Sequence, residues 1–302
     1  AFGPVALLIG HITGQAGGAG GLGATTLVKH RPAFKSVTAK SVLYVLDRYR
    51  RFPLFASWGA VFSTAAAQLP ILLFAPLFGP AVAGIYILAH RVLTRPVQVL
   101  GTSVANVFTS SAAEAMRKDK LAPLVARVHA HLSSIAMPAA AILMATGDDL
   151  FSLVFGYQWR QAGEFAQMMA PWMYIQFVTS PLTRLFIVME KQVHGTVFQG
   201  AQLIGSLTSI GIGAYNNEIG LAIMMLGISN FFIYGIFLTW LLVESGNSYL
   251  EVLKANRVPL AVSLFVVSPF TLAKMMFLGR DIEMVGMSVS FLLLFGYYGL
   301  LI

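Results

Sequence analysis

Two arginines lie in the middle of a long apolar stretch, residues 82–111. Arg91 and Arg95 are four residues apart, so they share one face of a helix. If the stretch crosses a bilayer, they lie about 14 Å and about 20 Å below its surface, where an arginine costs at least about 2.5–3.5 kcal/mol. The same face carries the polar side chains of Gln98, Thr102, Asn106 and Thr109. One side of this helix is thus a polar stripe headed by two cations.

The sequence offers these two arginines no carboxylate partner at the same depth. All 12 acidic residues fall in loops or at the ends of apolar stretches. A membrane-embedded arginine usually pairs with a carboxylate or faces water. Arg91 and Arg95 are therefore expected to face a water-filled cavity, an anionic substrate, or a carboxylate on a part of the protein outside this sequence. The alternative is that they snorkel or form a purely structural salt bridge.

No arrangement of residues typical of an enzyme accompanies this face. The sequence contains no Walker A motif, no G-x-S-x-G motif and no cluster with metal-ligand spacing. Among the six histidines only His129 and His131 are close together, and two residues apart on a helix they point to different sides. We therefore expect a protein that is not an enzyme and that uses neither a metal ion nor a cofactor.

The composition requires a membrane environment. Of the 302 residues, 57% are hydrophobic and only 11% are charged, whereas soluble domains carry about 25% charged residues. The mean hydropathy is +0.75. A net charge of +8 would suggest nucleic-acid binding in a soluble protein, but there is too little polar surface here for a soluble globule. With no cysteine, disulfides and thiolate metal sites are excluded as well. The class predicted is an all-α polytopic membrane protein with no nucleic-acid partner.

About nine stretches are long enough to span a bilayer as helices, which needs about 20 apolar residues each. They are residues 2–25, 54–78, 82–111, 128–146, 165–188, 195–214, 219–243, 258–278 and 284–302. The first holds eight of the 28 glycines, at spacings that favour close helix packing over a ligand role. Residue 1 is Ala inside an apolar stretch, so we expect the chain to be part of a longer protein.

Positive charge alternates between the connections that join these spans. Odd-numbered connections hold 14 lysines and arginines, and even-numbered ones hold two. By the positive-inside rule the odd connections are cytoplasmic, so Ile302 is expected on the cytoplasmic side. Within the first connection, residues 36–51 have the apolar spacing of a short amphipathic helix at the membrane surface, although an ordinary basic loop is the alternative.

Other polar residues within the spans support an internal cavity. Gln68 precedes a proline in span 54–78, and Gln176 lies in span 165–188 ahead of Pro181, which is expected to kink or loosen that helix. Arg184 lies near the cytoplasmic end of the same span, where a functional and a snorkelling role are equally open. Gln68, Gln176 and Arg184 therefore join Arg91, Arg95, Gln98 and Asn106 as candidate substrate-binding residues.

Several segments of the sequence resemble one family of transporters. They are residues 48–55 (RYRRFPLF), 68–74 (QLPILLF), 82–93 (VAGIYILAHRVL) with Pro96, 155–163, 170–172 through 180–181, and 190–192. Together these resemble the Wzx-type oligosaccharide flippases, which are the polysaccharide-transport branch of the multidrug/oligosaccharidyl-lipid/polysaccharide (MOP) exporters and share the MATE-like fold. The similarity is clear over about residues 45–195.

The resemblance implies two six-helix lobes around a central cavity and alternating access. Residues 1–28 would be the last helix of the first lobe, 29–53 a basic cytoplasmic linker, 54–243 the second lobe, and 244–302 two additional helices. Most of the first lobe would be missing from this chain. The substrate would be an undecaprenyl-pyrophosphate-linked oligosaccharide for O-antigen or exopolysaccharide synthesis. It would cross the bacterial inner membrane, coupled to a proton or a sodium ion.

In this interpretation Arg91 and Arg95 meet the pyrophosphate or acidic sugars, and Gln68, Gln98, Asn106 and Gln176 donate hydrogen bonds to the glycan. Two alternatives stay open. A MATE-type small-molecule exporter would share the fold, but cation exporters usually need acidic cavity residues. A membrane-embedded polysaccharide polymerase or ligase would share the substrate, but such enzymes usually have large periplasmic loops.

Overall fold

The computed structural model describes the chain continuously over three ranges and at scattered positions before them. These are residues 38–49, 51–276 and 280–301, with residues 10, 13, 14, 16–18, 20, 21 and 29. The predicted span 2–25, and with it the predicted domain 1–28, lies outside the continuous ranges. Of the predicted linker 29–53, residues 38–49 and 51–53 lie within them.

All regular structure in these three ranges is helical, which confirms the all-α prediction. A single 3₁₀ turn, Tyr157–Trp159, accompanies eleven α-helices. They are α1 (Ala39–Tyr49), α2 (Arg51–Phe78), α3 (Pro80–Arg117), α4 (Leu121–Phe155), α5 (Arg160–Leu182), α6 (Leu185–Val188), α7 (Gln192–Tyr215), α8 (Ile219–Glu244), α9 (Tyr249–Ala255), α10 (Arg257–Met275) and α11 (Arg280–Leu301).

Within the described residues, five helical segments are both long and apolar enough to cross a membrane. They are Ser57–Phe78, Leu121–Phe155, Ile219–Glu244, Tyr249–Met275 and Glu283–Leu301. The protein is therefore a multi-pass membrane protein. Helices α3, α5 and α7 have 38, 23 and 24 residues, long enough to span, but they are more polar. The count of nine spans stays a prediction.

The chain forms two compact units, Ala1–Leu54 and Phe55–Ile302. In the first unit, α1 confirms the helix expected within residues 36–51. Its start is fixed by reciprocal hydrogen bonds: Ser41 N donates to Thr38 Oγ1 over 3.2 Å, and Thr38 N donates to Ser41 Oγ over 3.0 Å. Val42, Leu43 and Tyr44 are exposed on it, as suits a helix at a membrane surface.

Helix α5 is the centre of the second unit. It packs against α3, α4 and α8, and 14 of its 23 residues are buried. Small residues allow these helix backbones to approach closely, which is the main packing device available in lipid. At Gly163 a Cβ atom would collide with backbone atoms of Gly147 and Asp148 on α4. At Gly227 of α8 it would lie 2.5 Å from the carbonyl oxygen of Met168.

Two predicted boundaries are wrong. The predicted connection 147–164 is mostly helical, because α4 continues to Phe155 and α5 begins at Arg160. The predicted span 165–188 is not one helix, because α5 ends at Leu182 and the short α6 follows after a turn. The helix stops one residue after Pro181, whose ring crowds the preceding turn and whose nitrogen donates no hydrogen bond.

Two contacts between connections agree with the prediction that successive helices cross the membrane in opposite directions. Lys191 Nζ lies 2.9 Å from Glu244 Oε1, which joins the fifth and seventh predicted connections. Asp149 and Glu283 line one cavity, which joins the fourth and eighth. Each contact therefore links two connections assigned to the same side. Which side is cytoplasmic, and so the position of the C-terminal end, stays a prediction.

The close approach of α4 and α5 makes a prediction about stability. Replacing Gly163 with Ala should force the two helices apart, because the obstructing atoms belong to the backbone and cannot rotate away. We expect a loss of about 1–3 kcal/mol, seen as a lower melting temperature of the purified protein in detergent. The control is Gly211→Ala on α7, where an added Cβ meets nothing within 4 Å. Equal melting temperatures for the two variants would contradict this account.

Candidate substrate-binding surface

Helix α3 has an apolar face packed inside the second unit and a polar face outside it. The helix begins after Gly79, whose φ of 93° favours glycine, with Pro80 in its first turn. The buried residues recur every three or four positions: Ala83, Tyr86, Ala89, Thr94, Val97, Gly101, Ala105, Phe108 and Ala112. Burial of this face directs the opposite residues outwards. We call the row Arg91, Arg95, Gln98, Thr102, Asn106 and Thr109 the polar stripe.

The structure brings four predicted site residues together on the polar stripe. Arg91, Arg95, Gln98 and Asn106 are all exposed. The fold also shows two hydroxyls beside the stripe that the spacing did not single out, Ser103 and Ser110. Their position was hidden because a helical wheel does not say where the packed face ends.

The two arginines have no ion-pair partner in the part of the chain that the structure describes. Lys118, Arg160 and Lys191 each have a carboxylate within 4 Å, at Glu114, Asp148 with Asp149, and Glu244. No carboxylate in the same ranges pairs with Arg91 or Arg95. Their guanidinium groups are therefore available to an anion outside the second unit.

The uncharged side chains of the stripe divide into two kinds. Thr102 and Thr109 donate to carbonyl oxygens of their own helix, Gln98 O over 2.9 Å and Ala105 O over 2.6 Å. Each hydroxyl keeps lone pairs that accept a further hydrogen bond. The amides of Gln98 and Asn106 form no side-chain hydrogen bond to any described residue. Amides that both donate and accept are suited to sugar hydroxyls.

The other three predicted site residues lie elsewhere. Gln68 is exposed on α2, and Arg184 is exposed in the turn between α5 and α6. No hydrogen bond or ion pair within the described ranges joins either one to the polar stripe. Gln176 is half-buried on α5, where its side chain lies near Tyr234 of α8 and Gln202 of α7.

Gln176 thus belongs to an interior polar group that the sequence reasoning missed. Its Oε1 atom is buried without a hydrogen-bond partner, and so is Oε1 of Gln199, one turn before Gln202 on α7. The spacing of Gln199 and Gln202 within the predicted span 195–214 was a usable signal. The burial of Tyr234 opposite them depends on helix packing that no single-helix pattern reveals.

An ion cluster at the α4–α5 junction shows how this fold treats a charge that it buries. Arg160 Nη1 donates to Asp149 Oδ1 over 3.2 Å, and Arg160 Nη2 pairs with Asp148. Gln167 Nε2 donates to Asp148 Oδ1 over 3.0 Å. Partial burial lowers the pKa of Arg160, but the nearby Asp148 and Asp149, with Tyr157 and Glu164, together outweigh that effect and raise the pKa above its usual value. The guanidinium therefore stays charged, which fits a structural role.

Comparison with protein families indicates the general role of this protein. Residues 1–164 match the family model of polysaccharide biosynthesis proteins, which is more than half of the chain. The chain belongs to the polysaccharide biosynthesis protein family. This membership indicates a role in the synthesis or transport of polysaccharide. No curated protein and no solved structure matches the chain.

The family match covers the polar stripe but not every candidate residue. All six stripe residues and Gln68 lie within residues 1–164, whereas Gln176 and Arg184 lie beyond them. In this polysaccharide biosynthesis protein, the residues that match the family model therefore include Arg91 and Arg95, the two arginines without a described ion-pair partner.

The position of the stripe can be tested with cysteines, because residues 1–302 contain none. In the full-length protein in membranes, Thr102→Cys and Asn106→Cys should react with a membrane-impermeant thiol reagent, since thiolates form only where water reaches. Val107→Cys is the matched control, because Val107 is exposed on the apolar side of α3. We expect it to react at least about tenfold more slowly. Similar rates at all three positions would show that water reaches the stripe no better than it reaches the apolar side of α3.

Proposed function

We propose that this protein is a flippase for undecaprenyl-pyrophosphate-linked oligosaccharide. It would move the lipid-linked glycan from the inner to the outer leaflet of the bacterial cytoplasmic membrane for surface polysaccharide synthesis. The observation that carries the proposal is the pair Arg91 and Arg95, exposed and without a described carboxylate, in a chain of the polysaccharide biosynthesis protein family.

The charge of the substrate suits the pair of arginines. A pyrophosphate diester carries two negative charges, and two guanidinium groups one helical turn apart can each donate to one phosphoryl group. Such charge-assisted hydrogen bonds contribute about 1.5–3 kcal/mol each. That is comparable with the cost of about 2.5–3.5 kcal/mol of holding each arginine at this depth.

The remainder of the stripe suits the glycan. Gln98 and Asn106 continue the row from the arginines towards the end of α3 that is predicted to be cytoplasmic, and their amides are unoccupied by described residues. A sugar chain presents hydroxyl groups that both donate and accept, as these amides do. The lipid tail needs no polar contact and would stay in the bilayer. Alternating access, driven by a proton or a sodium ion, would carry the polar part across.

The two alternatives differ from this proposal in measurable ways. A MATE-type exporter of cationic drugs would place acidic groups on the substrate surface, and the polar stripe carries arginines instead. A polymerase or ligase would need a general acid or base, or a nucleophile that a base activates, and the stripe carries no carboxylate or histidine beside its hydroxyls. We therefore propose a transporter that is not an enzyme.

Replacing both arginines tests the proposal. In the full-length protein, Arg91→Ala with Arg95→Ala should reduce surface polysaccharide at least about tenfold, because each substitution removes charge-assisted hydrogen bonds to the pyrophosphate. Lipid-linked oligosaccharide should accumulate in the inner leaflet, measured by its protection from an external glycosidase in spheroplasts. Lysine at both positions should restore part of the transport, since charge is kept and paired geometry is lost.

The control is Arg127→Ala, which removes an exposed arginine from α4, a helix that carries no residue of the stripe. It should leave export unchanged at equal expression. Normal export by the double alanine variant would contradict the proposal. Glycans that reach the surface but stay one repeat unit long would point to a polymerase instead.

A further inference from the structure

A groove of about 560 Å³ lies along the last turns of α8, on a different surface from the polar stripe. Its wall is largely aromatic: Phe231, Phe232 and Trp240 come from α8, and Tyr249 from α9. Glu244 is the acidic residue of its lining, at the end of α8. The volume lies within the range of about 300–1,000 Å³ that is typical of small-molecule sites.

The groove has a fixed apolar wall. The Trp240 ring stacks on Phe186 of α6 at 5.7 Å and on His194 of α7 at 4.6 Å between ring centroids. Three helices therefore hold it in place. Gly235 leaves a gap in the wall, because a Cβ added there meets nothing within 4 Å. Preformed grooves of this kind bind a ligand without the cost of ordering their own side chains.

The charged end of the groove carries both signs. Glu244 Oε1 lies 2.9 Å from Lys191 Nζ, and the two side chains are 35% and 41% exposed. Both residues lie in connections predicted to be cytoplasmic, at the depth where lipid headgroups lie. The apolar wall can contact an acyl chain, and the half-exposed carboxylate and ammonium at its end can pair with the opposite charges of a zwitterionic lipid headgroup.

We propose that this groove binds a phospholipid that carries a primary ammonium group, from the cytoplasmic leaflet. One acyl chain lies against the aromatic wall, the ammonium donates to Glu244, and the phosphate accepts from Lys191. An anionic phospholipid could place its phosphate on Lys191 but would bring no ammonium group to Glu244, so its phosphate would lie beside an unpaired carboxylate. A quaternary ammonium headgroup has no N–H to donate to that carboxylate.

The bound lipid would link two connections of the second unit. Lys191 begins the return from α6 into α7, and Glu244 ends α8, so both headgroup contacts lie at helix ends. The helix ends are where backbone order is weakest. The lipid would therefore stabilise the folded protein as any ligand of the native state does, and this role does not depend on the flippase proposal.

Lipid titration of the purified full-length protein, followed by native mass spectrometry, tests the proposal. The probes are phosphatidylethanolamine, phosphatidylglycerol and phosphatidylcholine with identical acyl chains. We expect phosphatidylethanolamine to bind about tenfold more tightly than the other two, the effect of one charge-assisted hydrogen bond. Gly235→Leu should fill the gap and weaken that binding about tenfold. Gly211→Leu, on an equally open surface of α7, should leave it unchanged.

A second variant keeps the test decisive if Gly235→Leu does not fold. Glu244→Gln removes the carboxylate and frees Lys191, so the preference should reverse and phosphatidylglycerol should bind more tightly than phosphatidylethanolamine. A merely structural ion pair predicts no such reversal. Equal binding of the three lipids, an unchanged preference in Glu244→Gln, or equal losses in the two leucine variants would each overturn the proposal.

Discussion

The hydrocarbon core of a membrane does not solvate polar groups, and that constraint orders this structure. Three buried hydroxyls satisfy it locally: Thr146, Thr179 and Ser263 each donate to the carbonyl four residues earlier, over 2.7–3.0 Å. Charge at the α4–α5 junction is neutralised within an ion cluster around Asp148. Against this background Arg91 and Arg95 differ, because they lie in the middle of a predicted span, exposed and without a carboxylate in the described chain. A fold that pairs the charge it buries leaves these two for something that is not part of the fold.

Close helix packing is the second consequence of the same constraint. Lipid tails are as apolar as leucine, so helices gain little by hiding apolar side chains from lipid and must associate through close contact. Helix α5 achieves this with glycine contacts to α4 and α8, which makes it the most buried long helix of the second unit. Its central place fixes the direction of its neighbour α3, and thereby directs the polar stripe away from the core. The position of the candidate site thus depends on glycines that do not belong to it.

Composition and single-helix periodicity were enough to predict part of this structure. The all-α class, the helices beyond residue 50 and the common face of Arg91, Arg95, Gln98 and Asn106 depend on local spacing alone. The continuation of α4 to Phe155 was missed because Asp148 and Asp149 indicate a loop until Arg160 is known to neutralise them. The break after Leu182 was missed because Pro181 predicts a disturbance without fixing which residue ends the helix. The inward position of Gln176 and the groove beside Trp240 arise from packing between distant helices, which no local pattern encodes.

The length of the polar stripe favours an extended ligand over a compact one. From Arg91 to Thr109 the row covers 18 residue steps, or about 27 Å at about 1.5 Å per residue, and it runs from the predicted middle of the membrane towards the end of α3 that is predicted to be cytoplasmic. A small molecule needs polar groups that converge within one pocket. Here they succeed one another along a single helix, with the cations nearer one end and the amides nearer the other. An amphiphile with a doubly charged head followed by a chain of hydroxyl-bearing units has the same order of groups, so the linear arrangement, and not only the charge, supports a lipid-linked glycan.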